Sequence, residues 1–277
     1  MKLPEFYVDD IIKSAIKEDI NYIDVSSDIL FDSTDSAKAR FVSKADGILC
    51  GIEIAMRVFE LLDKSFKYTL YKKDGDTLKN GDLIAEFEGC TPLLLKGERT
   101  SLNILQHMSG IATATNKAVK LCEGTRVQIT DTRKTLPGLR ALQKYAVTCG
   151  GGKNHRFNLS DGAMLKDNHI DAAGSITKAV EIVKSKIGHM VKIEVETRNL
   201  AEVEEALNAH ADIIMLDNMS IEDMKKAVEL VNGKALLEAS GNITAETIRT
   251  VAETGVDIIS MGALTHSVKA FDISMRM

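Results

Sequence analysis

Between Asp131 and Ile170 the chain carries Arg133, Lys134, Arg140, Lys144, Lys153, His155, Arg156, Lys166 and His169 around a Gly150-Gly151-Gly152 turn. The chain as a whole is acidic, with a formal charge of −5 over 277 residues, so this local excess of positive charge stands out. The block opens where an apolar run, Val127 to Ile129, ends, and it closes on a second run, Ala163 to Leu165, that itself ends in Lys166. Any one of these cations taken alone reads as a solvated surface group. Gathered at strand ends they converge, and several fixed cations in one place select a small polyanion. Arg forks grip carboxylates with two parallel hydrogen bonds, whereas Lys acts as a point charge.

A second set of groups follows at the ends of later apolar runs: Glu194 and Glu196, Asp217-Asn218, Glu238, Ser240-Gly241-Asn242 and Met261-Gly262-Ala263. Carboxylates in the middle of this series suit a divalent cation with oxygen ligands, or ribose hydroxyls. The Gly/Ser turns at its end suit a phosphate held by backbone N–H groups, with helices expected directly after them. Early cations, middle carboxylates and late Gly/Ser turns together describe a site for a phosphorylated sugar with magnesium, facing a carboxylate-bearing co-substrate. Isolated, Asp217 reads as an acidic residue ahead of a helix, Glu194 as an interior group, and His155 as a surface or capping histidine.

The elements that must position these groups are strands at Val127–Thr132, Gly162–Asp167, Val191–Glu196, Asp212–Asp217, Ala235–Ser240 and Asp257–Gly262. The last four begin 21, 23 and 22 residues apart, and Leu200–Ala209, Ile221–Val231 and Ala245–Thr254 between them are amphipathic at helical period. Apolar strands alternating with helices predict a parallel α/β sheet, and the regular spacing favours a barrel with fewer than eight strands. Active sites of such barrels form at the C-terminal strand ends. No strand is followed by GxGxxG, which argues against a dinucleotide fold.

Upstream, residues 1 to about 30 read as a helix with Ile11, Ile12, Ile16 and Ile20 on one face. Short strands (Ala39–Val42, Tyr68–Tyr71, Leu83–Phe87) around a helix at Ile52–Leu62, separated by Asp46-Gly47, Asp74-Gly75 and Asn80-Gly81-Asp82, predict an α+β domain. A long helix follows, bearing Leu102, Leu105, Met108 and Ile111 and stopping near Gly124. The expected division is a sandwich domain over 1–110, a barrel over 111–268, and a 269–277 tail packing back on the first domain. Cys50, Cys90, Cys122 and Cys149 show neither CxxC nor zinc spacing and read as reduced thiols of a cytoplasmic protein. The absence of a basic tract argues against nucleic acid, and the lack of a long apolar run against a membrane span.

The motifs ERTSLNILQHMSGIAT, DTRKTLPGLRALQKYAVTCGGGKNHRF, MLKDNHI, KIEVET, DIIMLDNM, LEASGNI and GVDIISMGALTHS occur in this order across roughly residues 90 to 270. This series resembles that of the quinolinate phosphoribosyltransferase family. The resemblance implies an α/β sandwich domain plus an incomplete, about seven-stranded α/β barrel, working as a homodimer or larger assembly with shared sites. It implies conversion of quinolinate and phosphoribosyl pyrophosphate, with Mg²⁺, to nicotinate mononucleotide, pyrophosphate and CO₂. Arg133, His155 and Arg156, beside Thr132, would hold the quinolinate carboxylates, with Arg99 reaching in from the partner chain. Lys134 and Lys166 would lie between quinolinate and pyrophosphate. Glu196 and Asp217 would take the ribose hydroxyls and the metal; Ser240, Gly241, Asn242, Met261, Gly262 and Ala263 would cradle the 5′-phosphate, with His266 near. Leu136 and Lys153 depart from the family pattern without removing a functional group.

Three other readings compete. A Schiff-base lyase would use Lys134 or Lys166 as nucleophile, although the surplus of Arg speaks against it. A related phosphoribosyltransferase would act on another aromatic base. A non-catalytic phosphometabolite binder would have little use for the carboxylate pair.

Overall fold

The computed structural model of the chain describes residues 3–277, in two compact units: residues 3–116 with Thr135–Gly151 and Leu264–Met277, and Lys117–Lys134 with Gly152–Ala263. In the first unit α1 (Glu5–Asp19) and α2 (Ser27–Leu30) precede β1 (Ser36–Ser43), β2 (Gly47–Ile48), α3 (Ile52–Leu62), β3 (Lys67–Leu70), β4 (Thr77–Leu78), β5 (Leu83–Cys90) and the start of α4 (Thr91–Leu121). The expected single helix to about residue 30 stops at Asp19, and residues 1 and 2 of that span lie outside the described residues. The Asp24 carboxylate accepts the Ser26 and Ser27 backbone N–H groups (2.9 and 3.2 Å). This local turn competes with helix over the intervening residues.

β1 pairs antiparallel with β5, and β5 with β3. Phe41, Phe59 and Phe87, with Ile52 and Met56 of α3 and Leu94, Leu102 and Leu105 of α4, form the buried core on that sheet. The Phe41 and Phe87 rings meet edge to face at 4.9 Å.

The chain then continues through β6 (Gln128–Thr130), α5 (Arg140–Cys149), β7 (Ala163–Leu165), α6 (Asp167–Ala173), α7 (Ile176–Lys184), β8 (Ile193–Thr197), α8 (Leu200–Asn208), β9 (Ile213–Asp217), α9 (Ile221–Val231), β10 (Leu236–Ser240), α10 (Ile248–Ala252), β11 (Ile258–Ser260), α11 (Ala263–His266) and β12 (Ile273–Arg276). β12 runs antiparallel to β1, with Ser43 opposite Ile273, so the last residues complete the first unit's sheet. The helix α5 also belongs to the first unit.

The second unit is a parallel six-stranded sheet in the order β6-β11-β10-β9-β8-β7. Where about seven strands were expected, six form, and a one-residue parallel bridge between Thr130 and Lys153 extends the edge of β6. Side chains capping the helices set the strand-to-helix turns: Ser175, Asn199 and Ser220 each accept a backbone N–H from the first turn of α7, α8 and α9.

The register explains the positioning of the site. Across adjacent strands Met164 lies beside Glu194, Glu196 beside Met215, Met215 beside Glu238, Asp217 beside Ser240, and Ser260 beside Thr130. Side chains alternate along a strand, so these groups share one face of the sheet. Ile129, Leu165, Val195, Ile214, Leu216, Leu237, Ala239 and Ile259 occupy the other face and are buried. Helices α7 and α8 pack beside β7, β8 and β9. The polar face is left for chemistry.

Candidate functional site

The polar face and the loops leaving it line one cavity of about 590 Å³. Thr132, Arg133 and Lys134 enter it after β6, His155 and Arg156 after the Lys153 bridge, and Lys166 after β7. Glu196 of β8, Asp217 and Asn218 at the end of β9, and Ser240, Gly241 and Asn242 at the end of β10 complete the rim. Met164, Met215, Glu238 and Ser260 are also lining residues.

The cationic block is divided between the units. Arg140 and Lys144 lie on α5 in the first unit, where Lys144 is 1 % exposed. Lys153 contributes its backbone to the bridge with β6, and His169 accepts the Lys166 backbone N–H at the start of α6 (3.1 Å). These four are not among the lining residues. Arg99 on α4 and His266 at the end of α11 belong to the first unit. Met261, Gly262 and Ala263 follow β11 outside the lining set; the Met261 N–H donates to the Thr130 carbonyl (2.9 Å) and fixes the end of that strand.

The His155–Arg156 segment is tied down from several sides. Asp131 is fully buried, and its Oδ1 accepts the His155 backbone N–H at 2.9 Å. The Arg156 backbone N–H donates to His155 Nδ1 at 2.9 Å, and His155 Nε2 lies 2.9 Å from Glu194 Oε2 and 3.7 Å from Glu238 Oε2. With Nδ1 accepting, these hydrogen bonds assign the proton to Nε2, which donates to Glu194. Arg156 Nη1 donates to the Gly162 carbonyl at 2.8 Å, while its Nε is buried without a hydrogen-bond partner. Burial first, and repulsion from Arg133 second, lowers the Arg156 pKa from its ordinary value. The unused Arg156 donor at the cavity wall, with the Arg133 guanidinium near, makes a receptor for a carboxylate, which relieves both penalties.

Glu194 and Glu238 are 4 % and 1 % exposed. Burial and the neighbouring Glu194 charge push the Glu238 carboxyl up to about 7, against the opposing pull of His155. The reading from sequence counted Glu194 and Glu238 among the strand-end carboxylates, took Glu194 alone as an interior group, and named neither as a site residue. Asp131 was not singled out. The available signal was the alternation in KIEVET and LLEAS, which puts Glu194, Glu196 and Glu238 on the inward face within apolar runs.

Elsewhere on the rim, Lys166 Nζ pairs with Glu196 Oε2 at 3.1 Å. An ammonium already donating to a carboxylate is a poor nucleophile, which weighs against the Schiff-base reading. Gly241 has φ +99°, and a Cβ there would lie 2.3 Å from Asn218 Oδ1. That oxygen accepts from Asn242 Nδ2 at 3.1 Å, and Asn242 itself has φ +48°. Only glycine fits the first position without strain. The helix expected at Ala245–Thr254 shortens to α10, Ile248–Ala252, so the turn leads into no long helix.

Glu196 and Asp217 stand on the polar face at the ends of adjacent strands and supply hard oxygen donors. That set fits a magnesium ion, which takes one or two carboxylates and completes its shell with water and substrate phosphate.

The chain is similar to known proteins over nearly its whole length. The model of the quinolinate phosphoribosyl transferase C-terminal domain matches residues 111–276, and that of the N-terminal domain matches 24–109. The probable nicotinate-nucleotide pyrophosphorylase (carboxylating) of Bacillus subtilis (strain 168) is 48 % identical over 93 % of this chain and 89 % of its own length. A mitochondrial quinolinate phosphoribosyltransferase (decarboxylating), 2b, of Nicotiana tabacum is 41 % identical over 99 % of this chain and 83 % of its own. The crystal structure of NadC from Streptococcus pyogenes superposes with a TM-score of 0.97 at 44 % identity, covering 100 % of this chain and 98 % of that one.

Proposed function

The chain belongs to the quinolinate phosphoribosyltransferase family, and from that premise we propose that it transfers the phosphoribosyl group of phosphoribosyl pyrophosphate to quinolinate with loss of CO₂. The products are nicotinate mononucleotide and pyrophosphate, on the route to NAD. One observation carries the reading. A single cavity sets Arg133, Arg156, Lys134 and Lys166 against Glu196, Asp217 and the Ser240-Gly241-Asn242 turn. A dicarboxylate and a phosphorylated ribose need those two halves side by side.

In this reading Arg133 and Arg156 hold the two carboxylates of quinolinate, with Thr132 beside them. His155 contributes at the same wall while braced by Glu194. The pyridine nitrogen attacks C1 of the ribose as the bond to pyrophosphate breaks. Positive charge develops on the ring as it does so, and the Glu196 and Asp217 carboxylates stabilise that charge. Lys134 and Lys166 neutralise the departing pyrophosphate. Ser240, Gly241, Asn242, Gly262 and Ala263, with Met261 and His266 near, hold the 5′-phosphate. N-ribosylation makes the pyridine cationic, so the electron pair left by departing CO₂ is stabilised on the adjacent carbon. Lys134 or Lys166 then returns a proton there. Magnesium bound at Glu196 and Asp217 would screen pyrophosphate charge.

Titration with quinolinate and with nicotinate separates this reading from that of another aromatic base. The second carboxylate adds charge-assisted hydrogen bonds worth roughly 1.5–3 kcal/mol. Quinolinate should therefore bind about 10- to 100-fold tighter. Equal affinities would point to a different base.

We further infer a homodimer in which Arg99 serves the neighbouring site, and a cytoplasmic setting. The four cysteines are free, consistent with a reducing compartment, and no helix among the described residues is long and apolar enough to cross a membrane. Co-expressed Arg99→Ala and Arg156→Ala chains test the sharing. A mixed dimer should regain one intact site and measurable turnover, whereas activity no higher than that of either parent would exclude it.

A further inference from the structure

Within the first unit, away from the residues used above, Cys50, Asp74 and Cys149 bring two thiol sulfurs and a carboxylate oxygen within 4.8 Å of one another. We propose that Cys50 and Cys149 form a reversible intramolecular disulfide when the protein meets an oxidant of the peroxide class.

Both thiols sit on fixed backbone. Cys50 is completely buried at the turn before α3, where its N–H donates to Ser109 Oγ at 3.0 Å and its carbonyl accepts from the same hydroxyl at 3.2 Å. Cys149 is half-buried at the end of α5. The next residue, Gly150, packs so closely on α4 that a Cβ would lie 2.4 Å from the Ala112 carbonyl oxygen. The turn after Asp74 closes the third side, with the Cys149 carbonyl 3.9 Å from a Cβ placed on Gly75. Asp74 is held in turn: its Oδ1 accepts the Gly51 and Ile52 N–H groups at 2.8 and 3.0 Å, and its Oδ2 accepts the Tyr145 hydroxyl at 2.8 Å. That carboxylate is therefore engaged as a helix cap and phenol acceptor, which leaves the sulfur pair as the reactive part of the cluster. A thiol pair already held within 4.8 Å loses little freedom on bonding.

The two sulfurs also differ in the way that such chemistry needs. A hydrogen bond from the Cys50 thiol lowers the Cys149 pKa against the effect of burial. Burial pushes the Cys50 thiol well up. Cys149 is thus the attacking group and Cys50 the resolving one. The Cys149 thiolate attacks one peroxide oxygen, the O–O bond breaks, and the departing hydroxide takes a proton to leave as water. The Cys50 thiol then attacks the sulfenic sulfur, the S–S bond forms, and the S–OH oxygen leaves as a second water. Two thiols lose two electrons, and one hydrogen peroxide becomes two waters.

The test treats the full chain with a small excess of hydrogen peroxide, blocks remaining thiols with N-ethylmaleimide under denaturing conditions, and measures intact mass and peptides. Two of the four free cysteines should escape blocking, with a Cys50–Cys149 linked peptide that dithiothreitol releases. Cys50→Ser should leave Cys149 as a sulfenic acid trapped by dimedone, and Cys149→Ser should leave Cys50 blockable at the same dose. Cys90, half-buried with its thiol donating to the Ser33 carbonyl (3.5 Å), is the internal reference. If Cys90 is oxidised while Cys50 and Cys149 both remain fully blockable, the proposal is overturned. Linkage of either cysteine to Cys90 or Cys122 instead would overturn it equally.

Discussion

Replacing Arg156 with alanine should lower kcat/KM for quinolinate by roughly 10²–10³-fold, with most of the loss in substrate affinity. Truncating one partner of a desolvated, hydrogen-bonded charge pair costs about 2–5 kcal/mol. Arg156 meets that description: its Nη1 is anchored on the Gly162 carbonyl, and its buried Nε faces no protein acceptor. Arg156→Lys should recover little, because an ammonium cannot reproduce the fork. The protein itself should fold normally. Removing Arg156 also removes repulsion on Arg133, so no unpaired buried charge is created. Steady-state kinetics at saturating phosphoribosyl pyrophosphate measures the effect, and a change of less than about threefold would place the carboxylates elsewhere.

The second large effect is on stability. Glu194→Ala should cost about 3 kcal/mol, because it leaves the buried His155 Nε2–H without its near acceptor and opens a void where the side chain stood. His155 Nε2 would lose its acceptor at 2.9 Å and be left with Glu238 at 3.7 Å. For a chain of this size the melting temperature should fall by roughly 6–12 °C. The same variant removes a charge that raises the Glu238 pKa.

The pH dependence tests Glu238 directly. The folded-state pKa of Glu238, about 7, lies above its ordinary value of 4.5. Its stabilising contribution is therefore complete below about 4.5 and is lost as pH rises through 7. The upper limit is roughly 3 kcal/mol. Glu238→Gln stays uncharged across that window. Its melting temperature should fall less than that of the parent protein between pH 5 and 8. Parallel curves would show that Glu238 does not titrate there.

Much of this site was legible because its chemistry lies at strand ends, and strand ends are easy to find. Apolar runs of five or six residues alternating with capped amphipathic helices placed Arg133, Lys166, Glu196, Asp217 and Ser240 at the tips of a parallel sheet, and the register puts the last three on one face. The interior acids were harder to read. A central strand buried on both sides looks continuously apolar, and the single acid in LLEAS is conspicuous only when the alternation of faces is imposed on it. Nor did the stretch DTRKTLPGLRALQKYAVTC reveal that Arg140 and Lys144 serve a different element. Grouped with Arg133 and Lys134 they looked like one set of cations for one ligand, whereas they lie on α5 with Ala141, Leu142, Ala146 and Val147, and Lys144 is itself buried there. Positive charge alone does not say which element a cation serves, and only packing separates the cases. The Cys50–Cys149 contact joins turns far apart in the chain, and no local pattern announces it.

The central claim is that the cationic wall and the carboxylate–turn wall of one cavity serve one reaction. Its most direct test follows carboxyl-labelled quinolinate with phosphoribosyl pyrophosphate and Mg²⁺, counting CO₂ and nicotinate mononucleotide together, with nicotinate as the alternative base. The account predicts one CO₂ per nucleotide from quinolinate and no nucleotide from nicotinate. Nucleotide formed from nicotinate, or binding of the phosphosugar without CO₂ release from quinolinate, would contradict it.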